Sequence, residues 1–161
     1  ASDGTPLEKF FPRSEWKYTV SSRKSNIQHF YTFVSPRLRA VHPSNFIRMA
    51  PDVASEQGIR SGDKVKVTTP YGAQVGEAFV TDGVASRVIS IEHGFGHDEF
   101  GIRTHIVDGK PAFGIANLEK GVNHNKLGLL DPKRNGEFSL NDWLVGTCAR
   151  QALPAKIRKI G

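Results

Sequence analysis

Three short stretches of this sequence combine residue types that can hold a polar ligand. The first is Ser21-Ser22-Arg23-Lys24-Ser25-Asn26, followed by Gln28 and His29. Hydroxyls, a guanidinium, amides and exposed backbone N–H groups together suit phosphate oxygens and the edges of a heterocycle. A polar surface turn is the alternative. The second is His93-Gly94-Phe95-Gly96-His97, which closes an apolar stretch. Two glycines let a ligand approach the backbone closely, and a plain turn is the alternative. The His93/His97 spacing looks like a helical zinc pair, but the glycines oppose a helix and no strong third ligand stands out. The third is Gly121-Val122-Asn123-His124-Asn125-Lys126. Asn123 and Asn125 face one side if the segment is extended, and each amide offers donors and an acceptor to a fused heterocycle. An Asx-rich turn is the alternative there.

Other chemistries find no support. The sequence has no Gly-x-Ser-x-Gly elbow, no Gly-x-x-x-x-Gly-Lys-Ser/Thr loop and no Gly-x-Gly-x-x-Gly fingerprint. Cys148 is the single thiol, which excludes an internal disulfide and a multi-cysteine metal or iron–sulfur site. With no local activation in sight it reads as a buried structural residue. No catalytic or metal-binding residue is assigned.

The elements that must position these stretches are mostly strands. Residues 1–15 mix Gly, Pro and charge without periodicity and read as a linker or arm, with a domain over 16–161. Trp16 to Val20 alternates like a strand and runs into the first polar stretch. Ile27 to Val34 is aromatic and β-branched and stops before Pro36. A short helix is expected within Met49–Gly58. Pro51 suits its first position, Asp52 its N-terminal dipole and Gly58 its left-handed end. Lys64–Thr69, Ala73–Thr81 and Val84–Ile91 read as three strands of an antiparallel unit, with Val75 opposite Ala78 and Val80. Residues 98–136 are rich in Gly, Asn, Asp and Pro and irregular, as functional segments often are. Ser139 to Asp142 could start a helical turn, and Ala155 to Ile160 alternates as a last strand.

At 161 residues one domain is expected. No stretch approaches the roughly 18 apolar residues that span a membrane. The chain starts Ala1-Ser2-Asp3-Gly4 and reads as a fragment or processed product. Its net charge of +6 favours polyanions, although Lys156, Arg158 and Lys159 look like one solvated strand face.

Taken in order, the motifs resemble one family. A strand ends at Ser22-Arg23 with His29 shortly after. A helix of pattern Pro51-x-x-Ala54 leads to Gly58-Ile59, Gly62-Asp63-x-Val65-x-Val67 and a turn at Gly72. Then come His93-Gly94-Phe95-Gly96-His97, Gly121-Val122-Asn123-x-Asn125, Asp131-Pro132 and a closing Lys156-Ile157-Arg158-Lys159-Ile160. Over roughly residues 16–160 this is similar to the C-terminal domain of the dimethyl-sulfoxide-reductase family of molybdopterin oxidoreductases. Two positions depart from it: Ala50 stands where the family often caps the helix with Asn, and Ser22 where it often has Gly.

The resemblance implies a mainly β fold, a six-stranded double-psi β-barrel with short helices and long loops. It implies a bis(molybdopterin guanine dinucleotide) cofactor carrying molybdenum or tungsten, held mainly by upstream domains of the same subunit. Ser22, Arg23, Asn26 and His29 are expected at the dinucleotide, and Asp52 at its guanine or ribose. His93, Gly94, Phe95, Gly96, His97, Asn123 and Asn125 are expected near the pterin. The family's metal ligand belongs to another domain, and Cys148 is in the wrong place for it. Gly121–Asn125 and Trp143-Leu144-Val145-Gly146 look most like tetrathionate, polysulfide or arsenate reductase catalytic subunits, tetrathionate reductase first. That likeness implies an iron–sulfur electron-transfer subunit, a membrane anchor and a periplasmic place or one at the outer face of the membrane, held there through partner subunits, with no nucleic acid. Two other readings remain open: a basic barrel stacking single-stranded nucleic acid on Phe30, Tyr31 and Phe33, and a double-psi barrel serving only protein interaction.

Overall fold

Strands whose alternate residues are apolar must bury one face, and here six of them close on themselves. The computed structural model describes residues 1–28, 31–98, 105–112, 118–142 and 144–161. The barrel strands are β1 (Tyr18–Arg23), β2 (Ile47–Met49), β3 (Lys64–Thr69), β4 (Gly72–Val80), β5 (Val88–Glu92) and β8 (Leu153–Lys159). A separate hairpin joins β6 (His105–Val107) to β7 (Lys110–Ala112). Two short helices, α1 (Pro36–Val41) and α2 (Pro51–Glu56), flank β2.

Around the barrel the strand order is β1, β5, β2, β4, β3, β8. Two pairs are parallel, β1 with β5 and β2 with β4, and the others antiparallel. This is the mainly β, double-psi arrangement expected from the sequence. Closure leaves no unpaired barrel edge.

Val20, Ile47, Met49, Val65, Val67, Ile89, Ile91 and Ala155 fill the inside without measurable exposure. A second segment closes the core. Val122, Leu127 and Leu129 join the same cluster, and β4 gives way to them at two glycines. A Cβ on Gly72 would lie 2.0 Å from the Lys126 carbonyl oxygen, and one on Gly76 would lie 2.4 Å from a Val122 methyl. The arm also touches the barrel, since Leu7 and Phe11 pack against the core and Phe11 meets Tyr71 edge-on.

Several local expectations are corrected. β1 starts at Tyr18 and continues through Ser21, Ser22 and Arg23, which the sequence reading placed in a loop. Parallel pairing with Ser90, Ile91 and Glu92 extends it. The three-strand antiparallel unit also fails. β3 and β4 do pair that way, but β2 lies between β4 and β5. Sequence alternation gives strands, not neighbours. Helix α1, not foreseen, follows Ser35 with Pro36 at its start. Instead of starting a helical turn, Ser139 and Asn141 form bridges to Leu130 and Cys148. Cys148 is exposed, not buried. The helix at Pro51–Glu56 is as expected, with Gly58 at φ +61° just beyond it. Val75 is exposed and Ala78 buried on opposite faces of β4.

If the core carries the fold, Ile91→Ala should cost about 2–5 kcal/mol. Exposed Val75→Ala should stay within about 0.5 kcal/mol. Urea denaturation of the two variants checks the contrast.

Candidate cofactor-binding face

The end of β1, the loop after β5 and the segment 118–125 meet at one end of the barrel. Each is fixed by bonds that the fold dictates. His93 N–H donates to the Arg23 carbonyl at 3.0 Å, so parallel pairing carries the loop past the strand end. Gly96 N–H donates to Lys120 O at 2.9 Å, and His97 N–H to Leu118 O at 3.1 Å. The loop thus runs zipped against the segment that leads to Asn123.

Two side chains from the α1 region lock this junction. Asn45, buried, donates to Glu92 O (2.7 Å) and Val122 O (3.0 Å) and accepts from Val122 N–H (2.7 Å). Arg39, also buried, donates to Phe33 O (2.8 Å) and Gly94 O (2.5 Å). Its guanidinium lies over the Phe95 ring, 4.7 Å from the centroid. Phe95 is therefore an anchor, pinned between Arg39 and an edge-on His42.

Glu92 ends β5 as a buried carboxylate. Arg23 lies 3.2 Å away, His42 2.9 Å and Arg48 4.0 Å. Removing one partner of such a group leaves buried charge uncompensated. Arg23, only partly covered, is thereby held beside Glu92 at the end of β1.

The glycines divide the work. At Gly96 (φ +66°) a Cβ would lie 2.5 Å from Asn123 N and 2.8 Å from Gly121 O, so its smallness serves internal packing. At Gly94 (φ +87°) a Cβ would meet nothing within 4 Å. Gly94 is the position in this loop where an outside group can lie on the backbone.

Asn123 and Asn125 do not sit on an extended segment. Asn123 caps a 3-10 turn over His124–Leu127, its side-chain oxygen accepting from Asn125 N–H at 3.0 Å. The expected shared face is replaced by an Asx turn, in which Asn123 Nδ2 donates no bond among the described residues. Asn125 is exposed and lines a small cleft of about 150 Å³ with His124, Ser139, Cys148 and Arg150.

His124 was not singled out from the sequence, although it lies between the two asparagines. It is buried edge-on against His93, with ring centroids 4.9 Å apart. Neither ring nitrogen has a hydrogen-bond partner among the described residues. Burial, with the charges of His93 and Arg150 adding to it, pushes its pKa down to about 4. Burial first and then Arg150 lower His93; burial first and then Arg39 lower His97, whose ring packs on Phe33 at 4.7 Å. Burial and nearby guanidinium groups thus hold the His93, His97 and His124 imidazoles toward the neutral form.

The remaining expected residues are placed as follows. Ser22 hydroxyl accepts from the Gln151 amide at 2.7 Å, tying β1 to the start of β8. Asn26, four residues after Ser22, is exposed. His29 lies outside the described residues. Asp52 is apart from the group: its carboxylate accepts from Ser86 Oγ and from Val53 N–H (2.8 Å) near the start of β5, whereas His93 follows its end. Those bonds, the Ser86 one first, hold its pKa low. Missed altogether were Arg39, Asn45, Glu92 and Arg150. Only Glu92 carried a signal, an acid closing an apolar strand.

A barrel of this topology with cationic, amide and neutral imidazole groups at one end suits a phosphate-bearing heterocyclic ligand. The chain matches the family described as Molydopterin dinucleotide binding domain over residues 18–134, and it belongs to that family. It is 39% identical to a tetrathionate reductase subunit of Salmonella typhimurium over 99% of this chain and 16% of that protein. It is 35% identical to the protein of the same name from Archaeoglobus fulgidus, over 58% of this chain and 8% of that one. The fold is similar to acetylene hydratase from Pelobacter acetylenicus, with TM-score 0.60 and 20% identity over 96% of this chain and 20% of that one. The chain thus spans about a sixth of the length of the Salmonella relative. The nucleic-acid reading falls with these findings. Phe33 is turned onto His97 instead of forming a stacking platform with Tyr31, and Phe30 lies outside the described residues.

Gly96→Ala should destabilise the purified chain by more than Gly94→Ala, because only the former adds a backbone clash to the positive-φ cost of about 1–2 kcal/mol; thermal melting checks this. His124 is neutral in the fold and its pKa is depressed from 6.5 to about 4. Its share of stability is therefore full above the unfolded value and lost as pH falls toward the folded one. The shift corresponds to roughly 3 kcal/mol. His124→Leu should flatten the pH 7 to 4 fall in urea midpoint relative to the wild type, although His93 and His97 keep part of it.

Proposed function

We propose that this chain closes over a bis(molybdopterin guanine dinucleotide) carrying molybdenum or tungsten in a catalytic subunit that reduces tetrathionate. The observation that carries this reading is the 39% identity to the Salmonella tetrathionate reductase subunit along 99% of the chain. The residues present fit the group. Arg23 and Arg150 offer cations for phosphate. Gly94 leaves backbone open, and Asn123 retains a side-chain donor.

In this reading Ser22, Arg23 and Asn26 hold the dinucleotide, with His29 after them. His93, Gly94, Asn123 and Asn125 lie against the pterin. Phe95, Gly96 and His97 keep that loop in place, and Asp52 is left to the far end of the dinucleotide. The bound metal centre supplies the electron transfer and the sulfur chemistry. The work of this chain is placement and electrostatics. With His93 and His124 held toward the neutral form by burial, the positive charge offered to a phosphate is that of the guanidiniums. The partners proposed are the upstream domains, an iron–sulfur electron-transfer subunit and a membrane anchor.

The full subunit, supplied with a reduced viologen, should turn over tetrathionate, and this chain alone should not. Reduction of arsenate but not tetrathionate would overturn the substrate assignment. Asn123→Ala in the full subunit leaves a polar group unpaired in a water-excluded site, at roughly 1–3 kcal/mol. It should therefore retain metal and pterin about one to two orders of magnitude less tightly, as read by metal analysis and pterin fluorescence.

A further inference from the structure

The small cleft beside His124 holds a thiol that the proposed function leaves unused. Cys148 is exposed, and it lines this cleft of about 150 Å³ with His124, Asn125, Ser139 and Arg150. The volume is about ten times the roughly 15 Å³ that one water needs. Backbone bonds hold the thiol in place. Cys148 bridges Asn141. On either side Ala149 N–H donates to Leu140 O and Asp142 N–H to Thr147 O, both at 2.9 Å. Cys148 is the single cysteine of the chain and has no disulfide partner within it.

The groups around the thiol suit an oxyanion. Arg150 brings a guanidinium, Ser139 a hydroxyl and Asn125 an amide. Among the described residues no carboxylate lines the cleft. His124 points to a ligand independently of the thiol. It is 3% exposed, and neither ring nitrogen has a hydrogen-bond partner among the described residues. With its pKa down at about 4, the ring is neutral near pH 7 and carries one N–H. A buried donor without a partner is costly, and an oxygen bound in the cleft would satisfy it. The charge of Arg150 reaches this place, since it bears on both His124 and His93.

We propose that Cys148 is a covalent acceptor site for a polythionate, an anionic sulfur–sulfur electrophile whose sulfonate is held by Arg150, Ser139 and His124. The choice of electrophile rests on the tetrathionate reading above. The Cys148 thiolate attacks an inner sulfur of tetrathionate, as in thiol–disulfide exchange. A bond forms between the cysteine sulfur and that inner sulfur. The central sulfur–sulfur bond breaks, and thiosulfate leaves with its electron pair. The thiol proton has gone to solvent. The cysteine sulfur is oxidised to a sulfenyl thiosulfate, the departing half is reduced, and tetrathionate is itself the oxidant.

The full subunit, treated with tetrathionate and digested without reductant, should carry one added sulfur and one sulfonate on the Cys148 peptide. Mass spectrometry reads the adduct, and dithiothreitol should remove it. Arg150→Gln should slow its formation about tenfold at low salt and leave labelling by the neutral disulfide dithiodipyridine unchanged. Equal slowing of both reagents would overturn the sulfonate pocket. A Cys148 labelled by the neutral probe but not by tetrathionate would overturn the proposal. So would a Cys148 closed to both reagents in the folded subunit. Turnover of tetrathionate with Cys148 unmodified would sink this inference and leave the proposed function standing. An adduct in a subunit without turnover would sink that function and leave the acceptor site standing.

Discussion

The buried amide of Asn45 is the interaction on which the arrangement depends. One side chain bonds the last carbonyl of β5 and both backbone polar groups of Val122. It thereby joins the end of the barrel to the segment that plugs it. A buried amide with three satisfied bonds is stabilising only while every partner stays in place. The geometry of the His93–His97 loop and of the Asn123 turn follows from this staple, since both start within a residue of its partners.

Around the staple, packing and polarity divide by position. Inside, aliphatic residues from six strands and from Val122, Leu127 and Leu129 make one core. Outside, Phe95 is clamped by Arg39 and His42, and Glu92 gathers Arg23, Arg48 and His42. The cost of burying the Glu92 carboxylate is met by these partners. A domain whose task is to place a phosphate-bearing cofactor gains by this, because rigid orientation of its donors avoids an ordering cost on binding.

The sequence made the strands legible wherever apolar residues alternate, as in Lys64–Thr69 and the last strand. It made α2 legible through Pro51, Asp52 and Gly58. It did not reveal strand order, because pairing of β1 with β5 and of β2 with β4 is parallel and joins residues far apart in the chain. Ser22 and Arg23 read as loop because their composition is polar, yet pairing with Ile91 and Glu92 makes them strand. Of the site, the glycine-rich loop and the two asparagines stood out by type. Their supports did not, because Arg39 and Asn45 lie in stretches with no motif and act through tertiary contacts. The roles of the two glycines in the loop were likewise invisible, since a close approach of backbone from residues 121–123 distinguishes them.

That this end of the barrel faces a molybdopterin dinucleotide is tested most directly by a high-resolution structure of the full subunit with its cofactor. The pterin and pyrophosphate should lie against Arg23, His93, Gly94 and the Asn123 turn. A cofactor bound elsewhere, with these residues facing solvent, would contradict it.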